Sequence, residues 1–206
     1  MKRLSWKYVA GLVDGEGCVR VGFRIREVFG SQGKHGGEKK KSIYPQIGLE
    51  VTLTESCKYL LDMLQNNYGG RLYYECRENP NWKPTWKWRL NDRTQCRSLF
   101  QNIKKHCFIK NEQMKLAIWC FDNIRGQITM ELADAMKCEF RLLKADPQRL
   151  SETAIQEITA CEGYSYWSFK AKSCIECGTT DRPHEANGLC EKCYKRKQYK
   201  PKQILN

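Results

Sequence analysis

Apolar and polar positions change their spacing early in the chain. In WKYVAGLV, residues 6–13, Val9, Ala10, Leu12 and Val13 cluster around Gly11, with Ser5 just ahead. That is the pattern of a short helix with a serine N-cap. From Val19 the spacing falls to two: Val19, Val21, Phe23 and Ile25 share one face, Arg20, Arg24 and Arg26 the other. A Gly/Lys-rich loop, residues 29–42, separates this strand from a second, where Ile47, Leu49, Val51 and Leu53 oppose Gln46, Glu50 and Thr52. TESCKYLLDMLQNNYGG then predicts a helix ended by Gly69-Gly70. In the next strand pair, Leu72, Tyr74 and Cys76 oppose Arg71, Tyr73, Glu75 and Arg77, and Trp86, Trp88 and Leu90 oppose Lys87 and Arg89. The chain to about residue 165 is helical in pattern, with a break at Pro147. The order is helix, hairpin, helix, hairpin, helices: an α+β fold whose four antiparallel strands turn one apolar face to the helices.

Charge changes what the other face of that sheet means. Lys and Arg number 36 against 23 acids, a net charge of +13. A surplus of this size points to a polyanionic partner, nucleic acid before an anionic membrane. No apolar run approaches a membrane span, and MKRLSWKYVA lacks the apolar core of a signal peptide. The expected setting is an intracellular, reducing compartment, so the 12 cysteines are not read as a disulfide framework. The alternating basic positions favour a nucleic-acid platform. Its candidate contacts are Arg20, Arg24, Arg26, Lys39, Lys40, Gln46, Glu50, Arg71, Tyr73, Lys87 and Arg89. Glu50 and Glu75 cannot neutralise phosphate; each either accepts from a cytosine amino group or pairs with a neighbouring arginine.

The first helix ends in Asp14-Gly15-Glu16-Gly17. A glycine inside a helix costs about 1 kcal/mol relative to alanine, which a chain tolerates where another backbone must come close. Ala10 and Gly11 would admit a second helix, and Gly15 and Gly17 would allow the turn into the strand. If that second helix is a copy of the first, a two-fold axis brings two Glu16 side chains together. Paired carboxylates suit a hard divalent cation such as Mg²⁺.

VAGLVDGEG, residues 9–17, closely resembles the signature of the LAGLIDADG homing endonucleases. The element order over about residues 5–125 is similar to that family's αββαββα core. FIKNEQMKLA, residues 108–117, resembles the stretch that carries its catalytic lysine. The resemblance implies a site-specific double-stranded DNA endonuclease, intron-encoded and dependent on divalent metal, with the sheets forming a saddle in the major groove. It makes Glu16 the metal ligand, helped by the Gly15 carbonyl, and Lys110 the basic residue near the scissile phosphate. Asp14 takes a structural role at the interface formed with Ala10 and Gly11. One motif supplies one acidic ligand, so the family's single-motif pattern implies a homodimer and a near-palindromic target. Two positions depart from the family. Leu53 stands where a polar residue is usual, with Thr52 or Thr54 as substitutes, and Cys57, beside Lys58, stands where a basic residue is usual. Leu53 keeps open a non-cleaving DNA- or RNA-binding protein of the same fold, an intron maturase or regulator.

CIECGTTDRPHEANGLCEKC holds two Cys-x-x-Cys pairs, Cys174/Cys177 and Cys190/Cys193, twelve residues apart. Such knuckles complete a structural four-thiolate Zn²⁺ site, with His184 as an alternative ligand. The basic YKRKQYKPK that follows reads as a tail contacting DNA backbone. The expected division is residues 1–165 as core and C-terminal helices, and 166–206 as a zinc-ribbon-like module. The remaining cysteines are expected to be small buried residues.

Overall fold

Ser5 opens the first helix as its place before the apolar run predicts: its hydroxyl accepts from the Tyr8 N–H at 3.2 Å. In this computed structural model, which describes residues 4–29, 39–76, 83–161, 173–180, 184–186 and 189–198, α1 spans Trp6–Glu16. It thus runs three residues past the apolar stretch. Gly17 stops it: its N–H bonds the Val13 carbonyl, and a Cβ there would lie 2.5 Å from that same oxygen. The chain turns directly into β1 (Gly17–Phe29). Gly17 is therefore required by close approach, whereas Gly15 has nothing within 4 Å of where its Cβ would be and is not needed for the turn.

β2 is Lys39–Thr54, followed by a 3-10 turn over Glu55–Cys57 and by α2 (Lys58–Tyr68). Gly69 and Gly70 close α2 at φ +78° and +86°, the left-handed region that favours glycine. β3 (Arg71–Glu75) and β4 (Thr85–Leu90) complete one antiparallel sheet in the order β1-β2-β4-β3. The register pairs Gly17 with Val51, Glu50 with Arg89 and Arg71 with Arg89. Directly paired residues share a face, so the two expected faces are those of the sheet.

The apolar face carries Val19, Leu49, Val51, Trp88 and Leu90, none with exposed surface. It lies under α1, α2, α3 (Arg93–Ile103) and α5 (Met130–Ala145). Behind them pack α4 (Asn111–Asn123) and α6 (Ser151–Ala160). Pro147 falls between α5 and α6, as expected. At the far end of the sheet the Ile128 N–H donates to the Ile43 carbonyl at 2.9 Å, tying the α4–α5 connection to β2.

The C-terminal segment forms a hairpin of β5 (His184–Ala186) and β6 (Leu189–Cys190), then α7 (Glu191–Gln198). The start of the predicted basic tail is thus helical. Its remainder lies outside the described residues.

Candidate nucleic-acid interface and metal-binding positions

The polar face of the sheet presents Arg20, Arg24 and Arg26 on β1, Gln46 and Glu50 on β2, Lys87 and Arg89 on β4, and Arg71, Tyr73 and Glu75 on β3. Six cations stand against two carboxylates, so the face is net positive. Both carboxylates are already engaged. Glu50 accepts from Arg20 at 3.1 Å and from the Arg89 Nε, and Glu75 from Lys87 at 2.7 Å. Of the two roles open to these acids, the geometry selects pairing with cations. Arg89 is also stacked over the Tyr73 ring, 4.9 Å from its centre, and Arg26 over Tyr44 at 5.5 Å. Among the described residues Arg24, Arg26 and Arg71 have no carboxylate partner. Glu50 thus holds two arginines in place, while unpaired cations lie to either side. Lys39 and Lys40, expected in a loop, belong to β2 opposite Phe29 and Val28; their side chains lie outside the described residues.

At the end of α1 the Glu16 carboxylate is exposed and has no hydrogen-bond or ion-pair partner among the described residues. Gly15 lies in the last helical turn, where carbonyls lack intrahelical donors. One free carboxylate and a helix-end carbonyl are hard oxygen donors that fit a divalent cation. Asp14 does something different. Its side chain accepts from the backbone N–H groups of Phe108 at 2.6 Å and Lys110 at 3.1 Å, fixing the segment that enters α4. The Lys110 ammonium in turn donates to the Asp14 carbonyl. Sequence spacing of 94 residues and more thereby becomes one cluster: Asp14 holds Lys110 beside the helix end that presents Glu16.

Two expectations at this helix change. Ala10 has no exposed surface; it packs into the core of the chain, and the Cys107 thiol lies 3.6 Å from its carbonyl. It therefore cannot meet a second copy through its side chain. Gly11 and Gly15 are exposed instead, with open space around both Cβ positions, and Tyr8 is 46% exposed. Asp14 is engaged within the chain as described. Beside this surface stand Phe108, 92% exposed, and Ile109. Pattern reading passed over both, because an apolar Phe-Ile pair before a helix looks like core.

The departures at Leu53 and Cys57 resolve in part. Leu53 pairs with Trp86 on the apolar face. Since Val51 pairs with Gly17, the next position, Thr52, is level with Glu16 and looks onto the polar face opposite Lys87. Lys58 is taken up by Asp62 at 2.7 Å and lies 4.8 Å from the centre of the Trp86 ring.

Cys174, Cys177, Cys190 and Cys193 place their sulfurs within 4.8 Å of one another, a set that can hold a metal ion. Cys177 and Cys190 lie 3.7 Å apart, close to the ~3.8 Å edge of a tetrahedron with ~2.3 Å metal–sulfur bonds. The first knuckle is a tight turn, with the Gly178 N–H bonding the Cys174 carbonyl at 2.7 Å and Gly178 at φ +67°. Burial pushes the Cys174 thiol up, but N–H groups of Cys190, Cys177 and Glu176 outweigh it and bring it to about 6. Cys190 is also lowered, chiefly by the Cys193 N–H, while burial and its sulfur neighbours raise Cys193 to about 12. Local N–H groups thus ease thiolate formation at Cys174 and Cys190 before any metal arrives. The scattered cysteines are less uniform than expected. Cys96, Cys107 and Cys120 are buried, Cys76 is exposed and the rest are intermediate. Burial pushes Cys96 and Cys107 up to about 12 and Cys120 higher, so these three pack as inert thiols.

Among the described residues no helix is long and apolar enough to cross a membrane. No family model matches the chain, and no curated protein does. Solved structures with a similar backbone include homing endonucleases. I-CvuI in complex with its target is 16% identical with a TM-score of 0.49, over 75% of this chain and 92% of that one. I-TnaI is 16% identical, with a TM-score of 0.46 over 77% and 99%. The archaeal intron-encoded I-Vdi141I, complexed with DNA, is 14% identical, with a TM-score of 0.43 over 75% and 94%.

Proposed function

We propose that the chain is a site-specific double-stranded DNA endonuclease of the LAGLIDADG homing type, working as a homodimer on a near-palindromic target. The observation that carries this reading is the exposed, unpartnered Glu16 carboxylate at the edge of a cationic sheet face, with Lys110 held next to it by Asp14. The sheet binds the duplex: Arg24, Arg26 and Arg71 offer unpaired charge to phosphates, and the Glu50-bound pair Arg20 and Arg89 is oriented toward base edges. Glu16 and the Gly15 carbonyl hold Mg²⁺, which activates water and neutralises phosphate charge when bound. Lys110 stabilises charge developing on the scissile phosphate. One chain carries one such glutamate; a second copy across the Gly11–Gly15 surface serves the other strand.

Selection of cut sites from a random duplex library in Mg²⁺ tests this reading. The expected outcome is recovery of near-palindromic sites cut on both strands. Enrichment of bound but intact duplex would instead favour the non-cleaving binder. That alternative has its own support in Leu53, which turns its side chain away from the polar face and leaves Thr52 as the hydroxyl level with Glu16 there.

We further propose that residues 166–206 act as a separate module around one structural Zn²⁺ held by Cys174, Cys177, Cys190 and Cys193, a reading that goes with a reducing compartment. The purified chain is expected to hold one zinc per molecule. Cys193→Ser should lose it, and zinc should leave on acidification as thiolates take up protons. Metal analysis across a pH series checks this; a chain isolated under reducing conditions without metal would remove zinc from the account.

A further inference from the structure

We propose that Lys144, delivered from α5, is a second phosphate-contacting cation of the Glu16 site. This rests on the nuclease reading for its role in cleavage, but not for the contact itself. Leu132, Met136, Phe140 and Leu143 bury one face of α5 against the rest of the chain and fix where its last turn ends. Lys144 in that turn is exposed, and its ammonium lies 3.3 Å from the Cys18 sulfur. Cys18 is the first residue of β1 on the polar face, two positions beyond Glu16. The two ammonium groups therefore bracket Glu16 along the chain: Lys110 on the carbonyl of Asp14, two residues before it, and Lys144 on the thiol two residues after it.

Among the described residues neither ammonium is paired with a carboxylate. A thiol is a weak acceptor, so the charge of Lys144 is left largely uncompensated. The nearest acid across the strand pair, Glu50, is occupied by Arg20 and Arg89. An exposed ammonium held in a fixed position, with only a thiol to bond, next to a carboxylate proposed to carry metal, suits a non-bridging phosphate oxygen. The competing role is local: a lysine in the last turn of a helix also interacts favourably with the helix dipole, with no DNA involved. The two roles differ in what they predict.

The test uses the full-length chain and the tightest duplex from a binding selection, with Ca²⁺ in place of Mg²⁺. Lys144→Met keeps the aliphatic stem and removes the charge; Lys144→Gln is a second neutral variant. Each should lower the slope of log affinity against log salt by about 0.9 per subunit, and Lys144→Arg should restore it. On duplex that is cut, the neutral variants should also slow single-turnover cleavage. A salt slope unchanged in both neutral variants overturns the proposal, whatever happens to their thermal midpoints. If the wild-type chain binds without cutting, the nuclease reading falls while the slope still decides whether Lys144 meets a phosphate.

Discussion

Glu16→Gln is expected to lower single-turnover cleavage by about a thousandfold or more, equivalent to ~4 kcal/mol of transition-state stabilisation, while leaving duplex binding intact. Its size follows from what surrounds the residue. The Glu16 carboxylate is exposed and has no partner among the described residues, so the amide alters neither fold nor packing. Among the described residues this carboxylate is the free anionic donor at the end of α1, because Asp14 is committed to the N–H groups of Phe108 and Lys110. Binding should even tighten slightly without metal, since the native carboxylate repels a nearby phosphate. Divalent-ion stimulation of binding should be lost, because the variant no longer gathers the ion. Cleavage rates and fluorescence anisotropy with and without Ca²⁺ measure both effects. Mg²⁺-dependent cutting at the wild-type rate in the variant would take Glu16 out of the chemistry. Asp14→Asn separates positioning from ligation: it should disturb the Lys110 segment and lower thermal stability, which Glu16→Gln should not.

Much of this site is visible in the order of residues, and the reasons for the remainder are physical. Period-two spacing assigned both sheet faces because a strand's side chains alternate whatever surrounds it. The Ser5 cap and the Gly69-Gly70 stop were likewise local chemistry. Rotation of a short helix is not local. WKYVAGLVDGE offers small residues on several sides, and only packing decides that Ala10 turns inward while Gly11 and Gly15 turn out. Length was misjudged for a similar reason. Asp-Gly-Glu looks like a helix end, yet α1 continues to Glu16 because the Gly17 N–H finds the Val13 carbonyl. Partnership across long distance was also hidden. Nothing near Lys144 in the chain refers to Cys18, and nothing near Phe108 shows that Asp14 holds its backbone in an exposed position. The acids Glu50 and Glu75 read as ambiguous until register placed cations beside them. Four cysteines at ribbon spacing were legible because thiolate chemistry fixes the spacing itself.

Gly11→Ala separates stability of the chain from assembly, and the two should move in opposite directions. Gly11 sits in the interior of α1 on its exposed side, with nothing within 4 Å of a would-be methyl group. In the isolated chain alanine therefore gains helix stability, about 1 kcal/mol, with no clash to offset it. In the proposed homodimer the same methyl would appear twice, at the place where the two helices would come closest. Overpacking costs about 1–3 kcal/mol per site, so dimer dissociation should strengthen by roughly 30-fold to 10⁴-fold. The exposed Phe108 and Ile109 would give that contact its apolar area, and Phe108→Glu should weaken the proposed dimer without touching the core. Sedimentation equilibrium over a concentration series gives the dissociation constant, and a melt of the dilute monomer gives the stability. A more stable monomer that dimerises as tightly as wild type would place the interface elsewhere. The two Glu16 side chains would then have no axis to share, and cutting of both strands would need another arrangement.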